Sequence, residues 1–123
     1  MFKNTVFIQL LFIPFIILLS GYAYAGHKYW VAKNDGTTKY WDDNANWAHS
    51  SGGPGGKSYP RIADKVIFNN KSKVDCTLRA KAQTRRLQVL SSYTGTINLA
   101  GYDMHSKQGA KIQGGTRDTE PTY

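Results

Sequence analysis

The sequence of 123 residues has few of the groups on which most catalytic and metal sites depend. Cys76 is the one cysteine, so no disulfide can form within the chain. Glu120 is the one glutamate. The three histidines have neither metal-ligand spacing to one another nor a cysteine close by; they are His27, His49 and His105. We therefore expect no catalytic residue, no metal site and no cofactor.

Two adjacent carboxylates, Asp42 and Asp43, do not change this expectation. Neighbouring residues of an extended chain point to opposite faces, whereas acid–base catalysis needs two carboxyls that converge. A calcium loop would alternate its oxygen ligands along the chain, and this segment does not. We interpret both aspartates as turn residues that accept hydrogen bonds from the nearby backbone.

A glycine-rich stretch contains the end of a phosphate-binding motif at residues 56–58, Gly-Lys-Ser. The full motif needs a glycine where Ser51 stands, and a helix must follow it. Pro60 comes two residues after the motif and disfavours that helix. We therefore predict a glycine-rich loop over residues 51–59, with Lys57 as a solvated charge.

The first 25 residues have the pattern of a secretory signal peptide. Lys3 precedes an uncharged apolar run over residues 6–19, and the two positions that a signal peptidase reads before a cut after Ala25 hold small residues, Ala23 and Ala25. The run is short for a membrane anchor and carries Pro14 near its centre. We predict cleavage after Ala25, a secreted or bacterial cell-surface protein, and no membrane span after cleavage.

The remaining residues, 26–123, are enough for one small domain. They show almost no apolar recurrence at helical spacing. Short β-branched and aromatic runs alternate instead with glycine, asparagine, aspartate and serine, which predicts an all-β fold. We expect four segments: a tryptophan-rich hairpin and cap (26–50), the glycine-rich loop (51–59), repeated short strands (60–115) and a polar tail (116–123).

The hairpin prediction rests on Asp35-Gly36, a strong signal for a two-residue turn. With these two residues as the loop, Trp30 falls opposite Trp41 and the two rings share one face. Trp47 follows after a polar turn. The segment is therefore expected to pack its tryptophans as an N-terminal cap.

Beyond residue 60, short strands with one apolar face recur every six to twelve residues or so. The expected inward residues are Val66, Phe68, Val74, Cys76, Leu78, Leu87, Val89, Ile97, Leu99, Met104 and Ile112. Short connections and a thin apolar inventory favour the coils of a parallel β-solenoid (β-helix), in which each coil shares its core with the next. A small β-sandwich is the alternative.

Several motifs follow one another in an order typical of one class of proteins. They are Trp41, Asn46-Trp47, a glycine-rich loop, P-x-x-x-D-x-V-x-F at residues 60–68, CTL at 76–78, LQVL at 87–90 and YTGTINLAGYDM at 93–104. Together they resemble the N-terminal region of large secreted bacterial repeat proteins of the parallel β-solenoid type, similar to adhesins and autotransporter passenger domains. The resemblance implies an extracellular structural or adhesive surface and no catalytic residues.

Two kinds of ligand contact are suggested by composition. Trp30, Trp41 and Trp47 have flat faces on which sugars could stack, which makes a carbohydrate-binding module the alternative function; packing of the three rings in a cap is the competing interpretation. The net formal charge is +8, and +7 without residues 1–25, whose one charge is Lys3. Some attraction to polyanions follows.

The densest cationic cluster lies in the segment RAKAQTRR and offers a candidate polyanion contact through Arg79, Lys81, Arg85 and Arg86. It lacks interleaved aromatic residues, so we expect no nucleic acid as partner. The competing interpretation is a solvated face. Host or envelope polysaccharide is the expected class of partner.

The sequence thus predicts a non-enzymatic, exported β-solenoid segment with a structural or adhesive role. The polar tail offers no strand to cover the last coil, and an open coil end is an exposed edge. We therefore expect a fragment of a longer solenoid, or self-association through that open end. Cys76 is interpreted as a buried apolar residue, not a reactive thiol.

Overall fold

The computed structural model describes residues 26–118, with side chains through residue 116. The predicted signal peptide and residues 119–123 of the predicted tail lie outside this range. Within it the protein is all-β, as expected, and contains no α-helix. No helix in the described range is long and apolar enough to cross a membrane.

Ten short strands and one 3₁₀ helix make up the described chain. The helix spans Asn44–Asn46. The strands are β1 (His27–Trp30), β2 (Trp47–Ala48), β3 (Lys65–Phe68), β4 (Cys76–Thr77), β5 (Ala82–Thr84), β6 (Arg86–Val89), β7 (Thr96–Asn98), β8 (Met104–Ser106), β9 (Ala110–Ile112) and β10 (Thr116–Asp118).

The strands form three sheets. The first sheet has the order β2-β1-β3-β6-β9, the second β10-β7-β4 and the third β5-β8. All pairings are parallel except the antiparallel pair of β1 with β2. From β3 onward the chain visits the first, second and third sheets in turn, visits all three again, and then returns to the first and second.

The parallel register has a nearly constant offset along the sequence. Val66 pairs with Leu87 in the first sheet, and Cys76 pairs with Ile97 in the second, in each case 21 positions further on (66 to 87, 76 to 97). Equivalent residues of successive strands are therefore stacked, and apolar side chains on one strand lie against apolar side chains on the next.

The core lies between the three sheets. Residues on alternate positions of the strands point into it, which confirms the inward positions expected for Val66, Phe68, Cys76, Leu87 and Val89. Val74, Leu99 and Met104 pack against the same core while partly exposed. Ile112 is in register with Val89, but 47% of it is exposed because no further strand lies beyond β9 in the described range.

The predicted two-residue hairpin is wrong. Trp30 pairs with Trp47 in β2, and no strand of the described chain includes residues 31–39. The Asp35 carboxylate accepts hydrogen bonds from the backbone N–H of Thr37 at 3.0 Å and from its hydroxyl at 2.6 Å. This local turn lets the chain leave β1 and reach the second sheet, where Tyr40 bridges Thr77 in parallel.

Residues 116–118 also differ from the expected strandless tail. Thr116–Asp118 forms β10, which pairs with β7 in parallel. The polarity of the segment did not prevent this pairing, since backbone hydrogen bonds do not depend on the side chains.

Candidate functional site

The three tryptophans lie inside the protein. Their exposed fractions are 0% for Trp30, 3% for Trp41 and 0% for Trp47. Trp47 lies edge-on to both of the other rings, with centroids 5.0 Å apart in each pair. The burial contradicts the candidate carbohydrate contact through these rings and supports their packing as a cap, because a sugar cannot stack on a ring that has no free face.

Both buried indoles on the first sheet have hydrogen-bond partners. The Nε1–H of Trp47 donates to the carbonyl of Trp41 at 2.7 Å, and that of Trp30 donates to the carbonyl of Val74 at 2.9 Å. The Val74 carbonyl also accepts the hydroxyl of Tyr93 at 2.8 Å. Tyr93 is buried, and burial, then the neighbouring Cys76 and Asp75, raises its pKa. It therefore stays protonated as a donor.

The predicted cationic cluster does not form one surface. The guanidinium of Arg79 binds Asp42 at 2.7 Å and stacks 4.2 Å from the ring centroid of Tyr40. Its charge is therefore partly neutralised. Lys81 is exposed near the start of β5. Arg85 donates to the carbonyl of Ala63 at 3.2 Å, so its side chain is partly committed to holding two turns together.

Arg86 alone among the four lies on the outer side of the first sheet. It is the register partner of Lys65 on β3, and Gln88, two residues later, is the register partner of Lys111 on β9. These four side chains alternate with the residues that face the core. We call this surface, made of Lys65, Arg86, Gln88 and Lys111, the basic face.

A shallow groove of about 340 Å³ runs over the basic face. Its walls include all four side chains of that face, together with the amide side chain of Gln108. Sequence reasoning missed Lys65 and Lys111, because each is isolated from other cations in the sequence. The available signal was the spacing: Lys65 and Arg86 have the same offset as the apolar pair Val66 and Leu87.

A second polar centre fastens the glycine-rich loop. The buried Lys28 amine donates to the hydroxyl of Ser58 at 2.8 Å and to Nε2 of His49 at 3.1 Å. An ammonium group has no acceptor, so Nε2 accepts and the proton of the neutral ring is on Nδ1. Desolvation of the ring, then the charges of Lys28 and Lys57, lower the pKa of His49.

The same loop is held by its backbone. The N–H of Gly56 donates to the Asn44 carbonyl at 3.1 Å, and that of Lys57 donates to the Trp47 carbonyl at 3.1 Å. A side chain at Gly55 would collide with the carbonyl of Ala45. The glycines therefore allow close packing over the cap, and Lys57 is exposed, as expected for a solvated charge.

Cys76 lies in the core with no exposed surface. Burial, then the nearby Asp42 carboxylate, raises its pKa well above the ordinary value, so the thiol stays protonated. This confirms the interpretation of Cys76 as a buried apolar residue. The described residues contain no group of three or more histidine, cysteine, aspartate or glutamate side chains that could hold a metal ion.

The last described strands leave an apolar opening at one end of the core. It has a volume of about 240 Å³, and its walls include Val89, Leu99, Met104, Ala110 and Ile112. We call it the open end.

Comparison with known proteins adds no relative. No protein-family model matches the chain, and neither a curated protein nor a solved structure does.

Proposed function

We propose that the chain is a short parallel β-solenoid segment of an exported protein, with a structural or adhesive role and no catalytic activity. One observation carries the proposal: the strands from β3 onward enter three sheets in a repeating order and in parallel register. A sandwich of antiparallel strands has neither property. A repeated coil gives a rigid rod whose faces repeat, and such faces suit attachment to extended ligands.

The stacking of equivalent side chains supports the same proposal. Four residues of the first sheet share one register position, one on each of β1, β3, β6 and β9: Lys28, Val66, Leu87 and Ala110. In the third sheet, Ala82 of β5 is likewise in register with Met104 of β8. Each strand thus buries its inner residues partly against the next strand, as in repeat proteins whose units cannot form a core alone.

Duplication of one period tests the solenoid. A variant carrying a second copy of residues 65–85, from β3 to the residue before β6, should fold cooperatively and unfold at higher urea concentration, because an added coil contributes a further interface. A matched control duplicates residues 65–80, which ends before β5 and shifts the register of all that follows. Loss of cooperative unfolding in the first variant, or equal behaviour of the two, would contradict the proposal. Urea unfolding followed by tryptophan fluorescence is the measurement.

Export is tested by the N-terminus of the accumulated protein. The full-length chain, produced in a Gram-negative bacterium, should be recovered outside the cytoplasm with Gly26 as its first residue. Mass spectrometry of the periplasmic and cytoplasmic fractions measures this. A chain that stays in the cytoplasm and begins at Met1 would contradict export. It would not bear on the solenoid, which the duplication experiment tests.

A further inference from the structure

We propose that the basic face of the first sheet is a binding surface for anionic polysaccharide. This inference deepens the adhesive role proposed above and rests on it. It moves the expected polyanion contact from the segment around Arg79 to a surface assembled from three strands: Lys65 on β3, Arg86 on β6 and Lys111 on β9.

The cations of the basic face have no acidic partner among the described residues. The described residues form two ion pairs, Lys39 with Asp35 and Arg79 with Asp42, and neither includes a residue of the basic face. The outward positions of β1, β3, β6 and β9 include no aspartate or glutamate. An unpaired cation attracts an anionic ligand without first breaking an internal ion pair, so this face suits an anionic ligand better than Arg79 does.

The spacing of the cations suits an extended chain of negative charges. Neighbouring strands of a sheet lie about 4.8 Å apart, so Lys65 and Lys111, two strands from each other, are about 10 Å apart in the direction across the strands. Lys111 also lies two register positions further along the strands than Lys65. Arg86 lies on the strand between them. A polymer that crosses the strands therefore meets one cation on each strand, within the groove that these side chains line.

Neutral groups of the face favour a polysaccharide over a nucleic acid. Gln88 and Gln108 both line the groove, and a side-chain amide can donate to and accept from sugar hydroxyls; the Gln108 oxygen already accepts from Arg85 at 3.4 Å, which leaves its NH₂ group as a donor. The outward positions of β3, β6 and β9 carry no aromatic residue; the nearest outward rings, exposed His27 and half-buried Tyr29, both lie on β1 at the side of the face. Single-stranded nucleic acids bind through a series of aromatic platforms, which this face does not have.

The test compares two triple variants of the full-length chain with the same loss of charge. The face variant combines Lys65→Gln, Arg86→Gln and Lys111→Gln. The control variant combines Lys33→Gln, Lys57→Gln and Lys73→Gln, three exposed lysines away from the face. Affinity for polygalacturonate is measured by isothermal titration calorimetry at about 0.15 M salt, near physiological ionic strength. Dextran serves as the uncharged polysaccharide and oligo(dT) as the nucleic acid.

The expected result is binding of polygalacturonate but not dextran, about tenfold weaker in the face variant and within about threefold of wild type in the control variant. Equal weakening in both variants would show that binding depends only on the net charge of the protein, and this would overturn the proposal. So would an absence of polygalacturonate binding by the wild type, or tighter binding of oligo(dT). Circular dichroism and urea unfolding identify a variant that fails to fold. In that case the affinity of the single variant Arg86→Gln is compared with that of the single variant Lys33→Gln. None of these outcomes depends on the duplication experiment, so failure of the face and failure of the solenoid are distinguishable.

Discussion

Thr84 has a polar hydroxyl group in a buried position. It has no exposed surface, and its hydroxyl oxygen has no hydrogen-bond partner among the described residues. A buried hydroxyl without a partner loses its hydrogen bonds to water and gains none in return. Thr84 lies at the end of β5, where a β-branched residue suits the backbone.

Replacement of that hydroxyl by a methyl group should stabilise the protein. We expect Thr84→Val to raise the free energy of unfolding by about 1 kcal/mol, because the change removes the unpaired group and keeps the branched shape. The exposed Thr94 is the matched control, and Thr94→Val should change stability by less than about 0.5 kcal/mol. Urea denaturation gives both values. A destabilised Thr84→Val variant would mean that the hydroxyl has a partner that stabilises it.

Lys28 connects the glycine-rich loop to a titratable group, because its amine contacts both Ser58 of the loop and the ring of His49. Lys28 donates to the neutral ring of His49, and both the desolvation of that ring and the nearby positive charges lower its pKa. In the unfolded chain the imidazole titrates near pH 6.5. Protonation of the folded ring would place a donor against a donor and one cation beside another.

Stability should therefore fall on the acid side. Because the pKa of His49 is lower in the folded protein, the unfolded state binds more protons as the pH drops below about 6.5; the free energy of unfolding falls until the pH has passed the folded pKa. His49→Gln keeps an acceptor for Lys28 and should flatten this part of the profile. The control, His105→Gln on the exposed side of β8, should retain it. Chemical denaturation across this pH range decides; an unchanged profile for His49→Gln would contradict the assignment.

At the level of elements, the alternation of apolar and polar residues predicts where the strands lie. It does not predict which strands pair with each other. Alternation places four side chains correctly in the core, because every second residue of a strand points inward: Val66, Phe68, Leu87 and Val89. It does not identify the strand partner of Trp30, since Asp35-Gly36 is a strong hairpin signal but forms a local turn here. Packing of Trp30 against Trp47 is a long-range contact that stabilises the fold. A local turn motif does not predict it.

The candidate site escaped prediction for a related reason. Arg79, Lys81, Arg85 and Arg86 are close in sequence, yet Arg79 and Lys81 line one groove while Arg86 lines another, that of the basic face. Lys65 and Arg86 are distant in sequence and adjacent in the sheet. Surfaces of a sheet are assembled across strands, so a cluster along the chain is a poor guide to them.

At the level of the whole molecule, the open end is the place where the predicted self-association would occur. Apolar side chains line this opening, and the edges of β8 and β9 have no neighbouring strand in the described range. Such an edge is a template for pairing with another chain. Since Ile112 stands at this edge with half of its surface exposed, it is the residue on which association should depend.

Ile112→Glu should weaken self-association by at least about tenfold, because a carboxylate in an apolar contact loses its hydration without a partner. Ile62 provides a matched control, since it has the same exposed fraction, 47%, and lies away from the opening. Sedimentation equilibrium over a range of protein concentrations measures the dissociation constants. A wild type that stays monomeric at high concentration, or equal weakening in Ile62→Glu, would contradict a role for this end.

The hydrogen bond from Trp30 to the Val74 carbonyl joins groups 44 residues apart, and β1 pairs with β3 across a similar distance. During synthesis the first strand leaves the ribosome well before β3 exists, and until then only β2 is there to pair with it. Its hydrogen bonds to β3 and the bond from the Trp30 indole form only after the turn that follows β3 has emerged. The N-terminal cap is thus made early but completed only when a segment about 40 residues further along the chain has been made.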